Sequence, residues 1–456
     1  MPVQTEAQRR DRERGAHLLR RFGMGASEAE LDYYLQDGYK GAVERLLDPA
    51  STPEVGELDI ETLRNAKGNL PMPTVVAWWT MRLLTTRRPL LEKMVVFWHN
   101  HFATGADKVK AAPMMHLQNE TLRAHALGGF EDLLVAVSKD PAMLYYLDNQ
   151  ENVRGKPNEN FAREVMELFT LGIGHYTEGD VQEAARCFTG WSLKRGGKQS
   201  EPEFLMRARL HDDGEKTVLG KTGNLGGEDV LKILCDHPQC ATFLVTKLWN
   251  WFVYPNPEPA TLAPFVKTFY ESDLNVKTLL RAIMMSEEFH SERARRRSFK
   301  NPVDFCVVTL RQLGVGETML GSKLGSGKPE RARAGIAAGA ANAMRSQGMW
   351  LMYPPDVSGW KPGEAWVTTA TMIERIGWAS RLFGQSAKGN IPGVRAYDLL
   401  VADPTPGGVV DRFASIGIKL SGFMPDRDED AMGIAVAAGF TSNQYRRAYG
   451  GGRARG

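Results

Sequence analysis

Apolar residues recur at three- and four-residue spacing along nearly the whole chain, and two-residue alternation is confined to one short stretch. The first period puts apolar side chains on one face of a helix, and the second puts them on one face of a strand. The sequence therefore predicts a mainly α fold, a multi-helical globular body with a small β-hairpin insertion around 193–225. Ser27 and Glu30 have the spacing of a capping box, and so do Thr177 and Asp180. Helices are expected over 73–86, 89–102, 121–138, 158–172, 178–189, 228–236, 239–253, 260–271, 275–287, 301–313, 334–343 and 367–383. In the insertion, Phe204 to Leu210 alternates, Asp213-Gly214 supplies a turn, and Lys216 to Leu219 returns as the partner strand.

The same reading divides the chain into a flexible N-terminus at 1–14, a helical body at 15–383, a linker at 384–408, a small helical segment at 409–449 and a disordered tail at 450–456. The Gly- and Ser-rich residues 315–332 read as a loop. Pro354, Pro355, Pro362, Gly359 and Gly363 exclude regular structure from Pro354 to Trp366, a loop expected to be pinned by Trp360 and Trp366.

Composition narrows the function classes. The 456 residues are 43% hydrophobic and 24% charged, enough for a large core, and the net charge of +3 gives no general grip on nucleic acid. Cys187, Cys235, Cys240 and Cys306 form no CxxC, and four thiols in so long a chain read as buried and reduced. Charges interrupt the N-terminal residues and no run of 18 apolar residues occurs, so a soluble cytoplasmic protein without a transmembrane segment is expected. A leader upstream of a mis-assigned start would make it periplasmic or exported.

Several familiar motifs fail. Gly325-Ser326-Gly327-Lys328 has Ser322 where a P-loop needs its first glycine, and Pro329 where it needs Ser or Thr. Asp426, Asp428 and Asp430 have EF-hand spacing, but Ala431 and Ala437 replace the required Gly and Glu. Lys221-Thr222-Gly223 lacks the companion elements of penicillin-binding enzymes, and no HExxH or GxSxG occurs. Arg293, Arg295, Arg296, Arg297 and Lys300 read as a solvated basic face.

Two places remain as candidate chemistry. His99 and His101 end a helix, where two residues of separation rotate the rings by about 200°. They serve either as helix-end caps or as metal ligands. In 158–172, Phe161, Val165, Leu168 and Phe169 share one side, and Glu159, Asn160, Arg163, Glu164, Glu167 and Thr170 fill an arc of about 140° opposite. Arg163 stands four residues from both Glu159 and Glu167, so it is expected to neutralise both at a partly buried site. Glu159, Arg163, Glu164 and Glu167 are the candidate catalytic residues. His99, His101, Glu164 and Glu167 are the candidate ligands of a divalent metal ion, with His175, Asp180, His211 and Asp212 as further N and O donors. Asn158, Arg123, His125, Trp191 and Trp360 offer a competing set for a carbohydrate cleft.

Several stretches carry a resemblance. They include His17-Leu18-Leu19-Arg20-Arg21-Phe22-Gly23, Phe97-Trp98-His99-Asn100-His101-Phe102, Asp140-Pro141-Ala142-Met143-Leu144, Asn158 to Gly172, Phe188-Thr189-Gly190-Trp191 and Pro354 to Trp360. In this order, over about residues 15–380, the chain resembles the bacterial domain of unknown function 1800 family. The family name carries no established reaction. The resemblance implies a neighbouring sulfatase-like protein as partner, frequent export and an envelope role. Two functions follow as expectations: a metal-assisted hydrolase or transferase acting on an envelope-related polar substrate, or a non-catalytic scaffold for a sulfatase-like protein.

Overall fold

The structure, a computed structural model, describes residues 6–54, 59–194, 202–295, 298–320 and 329–386. Helices dominate the described residues, and one continuous apolar core runs from Leu18 to Leu382. No described helix is long and apolar enough to cross a membrane. All four cysteines are free and buried.

Both predicted capping boxes form. Ser27 Oγ accepts from the Glu30 amide and the Glu30 carboxylate accepts from the Ser27 amide, opening helix Glu28–Leu35. Thr177 and Asp180 do the same for Glu178–Cys187. Met72–Thr85 and Pro89–His101 lie where expected, each with proline in its first turn, where the missing N–H costs nothing.

The N-terminal helices are tied to distant parts of the chain. His17 donates through Nε2 to the Phe289 carbonyl at 3.0 Å, and Arg21 donates to the Phe252 and Val253 carbonyls at 2.6 Å each. Arg311 donates to the Leu84 and Thr86 carbonyls, ends that a helix leaves unpaired. Buried Ala337, Ala340 and Ala341 line Pro329–Ser346, which packs along Met72–Thr85.

Five expectations are corrected. Residues 6–14 are not a tail but the first turns of helix Glu6–Phe22, where Arg14 pairs with Glu287 at 2.7 Å. The stretch 121–138 is divided into Ala112–His125 and Phe130–Ser138, because Gly128 and Gly129 leave helical pairing to bond residues 274–276. The small β insertion is present as expected, but its strands pair differently, in two small sheets. Trp191–Lys194 pairs antiparallel with Glu203–Met206, and Lys216–Val218 pairs with Lys221–Gly223. Arg207 bonds back to Gly190, and the chain turns into a 3-10 turn at Ala208–Leu210, which ends the alternation early. Residues Val315–Leu320 are helical rather than loop, because Gly316 has no Cβ to strike the Leu84 carbonyl against which it rests. The Pro354–Trp366 loop is pinned as expected, with Trp360 and Trp366 buried, but Gly363–Trp366 forms a 3-10 turn. The Gly325–Lys328 stretch, the linker at 384–408 beyond residue 386, the 409–449 segment with its Asp426–Asp430 turn, and the 450–456 tail lie outside the described residues.

Candidate functional site

The helix Pro89–His101 ends in three polar side chains, and each bonds a different distant backbone. His99 Nε2 accepts from the Met352 amide at 3.1 Å. Asn100 Oδ1 accepts from the Trp360 amide at 2.6 Å. His101 Nε2 donates to the Phe169 carbonyl at 3.1 Å. The rings leave the helix in opposed directions, as 200° of rotation requires. Both are buried, at 1% and 2% exposure. Burial pushes His99 down to about 4 and His101 well below its ordinary value. His99 therefore accepts through a neutral ring whose proton is assigned to Nδ1.

Met352 pays for this contact in backbone strain, at φ +68°, a left-handed conformation rare without glycine. His99 holds its amide, and the Ala106 amide donates to its carbonyl at 2.9 Å.

The polar helix departs from its expected form. Asn160–Glu164 is α-helical, and Val165–Thr170 is a π-helical turn. The Leu171 amide bonds the carbonyl of Met166, five residues back, at 2.8 Å, and Thr170 Oγ1 donates to the Val165 carbonyl at 2.6 Å. A π-turn takes more residues per revolution, so Glu167 no longer sits one α-turn from Arg163. Arg163 reaches Glu159 at 3.2 Å as expected, but its second carboxylate is Glu178 at 2.7 Å, not Glu167. Glu167 instead accepts from the Tyr176 hydroxyl at 2.6 Å. The Arg163 side chain is 34% exposed, so this ladder is a surface feature.

Glu164 lies on the other edge of the turn. Burial, reinforced by Glu167 and Asp356, raises its carboxyl above the usual carboxylate range. Tyr146 is raised by burial and by Asp107, Asp356 and Glu164. These groups share one electrostatic neighbourhood built from the π-turn, the loop after helix Pro89–His101, and the Pro354–Trp360 segment. Asp356 folds back on its own loop, accepting from the Ser358 amide at 2.8 Å.

The expected divalent-metal set does not assemble. Among the described residues no three His, Cys, Asp or Glu side chains form a group that fits a metal ion. His99 and His101 are each held by a different backbone partner, Met352 and Phe169. The further donors are also engaged elsewhere. His211 Nδ1 donates to the Thr189 carbonyl, Asp212 pairs with Arg186, and Asp180 caps its helix and accepts from the Leu219 amide. His175 is exposed.

Nor does the expected carbohydrate set converge. Trp191 and Trp360 are core anchors at 4% and 6% exposure. Arg123 is buried in an ion pair with Glu92 at 2.5 Å, where Arg82 adds a contact at 3.0 Å and Trp79 Nε1 donates at 3.2 Å. Asn158 turns inward to its own loop. Of the basic cluster, Arg293 lies over the Tyr254 ring and Arg295 is near Glu292; Arg296 and Arg297 lie outside the described residues.

Sequence reasoning missed Glu92, Asp107 and Tyr146. A lone carboxylate among apolar neighbours in the 89–102 helix was the signal for Glu92. Nothing in the spacing marks the other two.

These features define a mainly helical protein whose His-Asn-His helix end locks two distant segments beside a cluster of carboxyl and phenol groups. The chain belongs to the DUF1800 family: the family model described as "Protein of unknown function (DUF1800)" matches residues 17–449. No curated protein and no solved structure matches it.

Proposed function

We propose that the chain is a hydrolase or transferase acting on a polar substrate of the bacterial envelope, with Glu164 as its general acid. The observation that carries this reading is the raised carboxyl of Glu164, immediately before a π-turn and under the influence of Glu167 and Asp356. A carboxyl raised above its ordinary value is a better proton donor to a leaving group, and π-turns concentrate at functional sites. In this reading Asp356, which acts on Glu164, receives a proton from the attacking water or acceptor hydroxyl. Arg163 and Glu159 stand outside this chemistry as a surface ion pair. Among the described residues no group of donors fits a divalent ion, so no step is assigned to one.

The test is turnover of purified envelope polymers, and of ester and glycoside fragments of them, by the full chain. Glu164→Gln should abolish turnover, and Glu159→Gln should leave it within twofold. Unchanged turnover and pH profile in Glu164→Gln would overturn the reading.

A second reading has its own support. His99, Asn100 and His101 are all committed to backbone contacts, as in a scaffold. In that case the chain binds a sulfatase-like partner without catalysis. A stable complex with such a protein, with no turnover of any polymer tested, would favour it.

A further inference from the structure

The segment after helix Pro329–Ser346 builds a stack that no part of the acid–base reading uses. The Trp350 and Tyr353 rings lie parallel, with centroids 3.6 Å apart and planes 14° apart. The Arg345 guanidinium sits 3.8 Å from the Trp350 centroid. At those separations Arg345 and Tyr353 must occupy opposite faces of the indole. Tyr353 is the last ring of the stack, partly exposed and with its remaining contacts against the core. Both rings remain partly exposed, unlike Trp360 and Trp366.

This stack is rigidly held. Tyr353 follows the left-handed Met352, whose amide and carbonyl are fixed by His99 and Ala106. The Tyr353 amide closes the turn onto the Trp350 carbonyl at 2.9 Å. Strain of this kind in a residue other than glycine persists where the surroundings over-determine it, commonly at ligand sites.

The stack also adjoins the acidic groups. Burial and Asp107, next to Ala106, raise the Tyr353 hydroxyl, and Arg345 opposes them. Asp107, Asp356 and Glu164 all act on Tyr146. We propose that the outer face of Tyr353 is a stacking platform for a pyranose ring, presenting a neutral or amino sugar to Glu164 and Asp356. The C–H face of a sugar packs on an aromatic ring, and its hydroxyls bond carboxylates. Carboxylates on this side disfavour sulfated, phosphorylated or uronic sugars. The proposal rests on the reading of Glu164 as the acid and names the substrate class for it.

Titration calorimetry of the full chain tests it with three probes: tetramers of N-acetylglucosamine, of glucosamine and of galacturonic acid. The expected result is binding of the first or second and at least tenfold weaker binding of the third. Tyr353→Ala should weaken the bound tetramer at least tenfold, and Tyr353→Phe should retain it. Saturation-transfer NMR on the wild-type chain reads the contact without any variant, through the axial ring C–H protons of the sugar. Wild-type affinity in a folded Tyr353→Ala, tighter uronate binding, saturation entering elsewhere on the sugar, or no binding of any tetramer at millimolar concentration would each overturn the platform. Glu164→Gln should still bind the tetramer. Sugar binding without turnover sinks the acid–base reading alone, and turnover of a non-sugar ester without sugar binding sinks the platform alone.

Discussion

His99 accepts a hydrogen bond from the Met352 amide at 3.1 Å, joining residues 253 apart in the chain. An imidazole can accept only while one ring nitrogen is unprotonated. The lock on the strained turn is therefore also a demand that His99 stay neutral.

That demand sets a pH dependence. Burial holds His99 at about 4 and His17 at about 3, while the unfolded chain takes up both protons near 6.5. The folded values are depressed, so the unfolded state binds more protons as pH falls through 6.5, and stability is lost from there down toward 4. For His99 alone the full loss is about 3 kcal/mol. Urea midpoints measured from pH 7.5 to 4.5 should fall steadily, with a shallower fall in His99→Gln. A flat profile would show that these rings are not buried neutral.

Two arginines separate buried from surface pairing. Glu92 is 1% exposed, so Arg123→Leu leaves its carboxylate with Arg82 alone and should cost about 3–5 kcal/mol. Arg163→Leu removes only solvated contacts and should cost under about 1 kcal/mol. Comparable losses in the two variants by chemical denaturation would contradict this contrast.

Two glycines with nearly equal backbone angles isolate a contact. Gly359 has φ +77° and Gly363 φ +78°. A Cβ on Gly359 would strike the Asn100 carbonyl and side chain, whereas one on Gly363 meets nothing within 4 Å. Both alanine variants bear the conformational cost, on the order of 1 kcal/mol. Gly359→Ala should lower the melting midpoint well beyond Gly363→Ala. Trp360→Ala, which empties the adjoining anchor, should cost about 3 kcal/mol. Equal midpoints for the two glycine variants would mean that Asn100 does not grip this loop.

Glu164 should trade stability against activity. Its carboxyl lies above the usual range, so at neutral pH the charged form is disfavoured by burial and by Glu167 and Asp356. Glu164→Gln removes that repulsion and should stabilise by up to about 1 kcal/mol while ending turnover. A clear drop in the melting midpoint would assign Glu164 a structural role instead.

Elements governed by local chemistry were legible in the sequence. The Ser27–Glu30 and Thr177–Asp180 boxes follow from spacing alone, and the helix positions follow from apolar period. What escaped was tertiary. The insertion's alternation extends to Leu210, but pairing with Gly190 ends the strand at Met206. Nothing in Val165–Thr170 distinguishes a π-turn from an α-turn, so the Arg163 ladder was assigned one wrong partner. The site was half legible: Glu164 and Glu167 lie on the expected arc, and His99 and His101 proved to be anchors. Trp191 and Trp360 have the sequence look of a binding cleft but are absorbed by the core, while the partly exposed stack is Trp350 with Tyr353.

The anchoring of the His-Asn-His helix end also orders events during synthesis. A ribosome completes residues 99–101 long before Phe169, and Met352 and Trp360 emerge last of all. Until then His99 and Asn100 have no partners, a state costing several kcal/mol in a dry core. Arg21, Tyr39 and His17 wait likewise for carbonyls at residues 252–253, 284 and 289. The N-terminal third thus cannot settle cotranslationally into its final form. It must be shielded or remain open until the chain is made past Trp360, and fragments ending short of that residue should aggregate rather than fold.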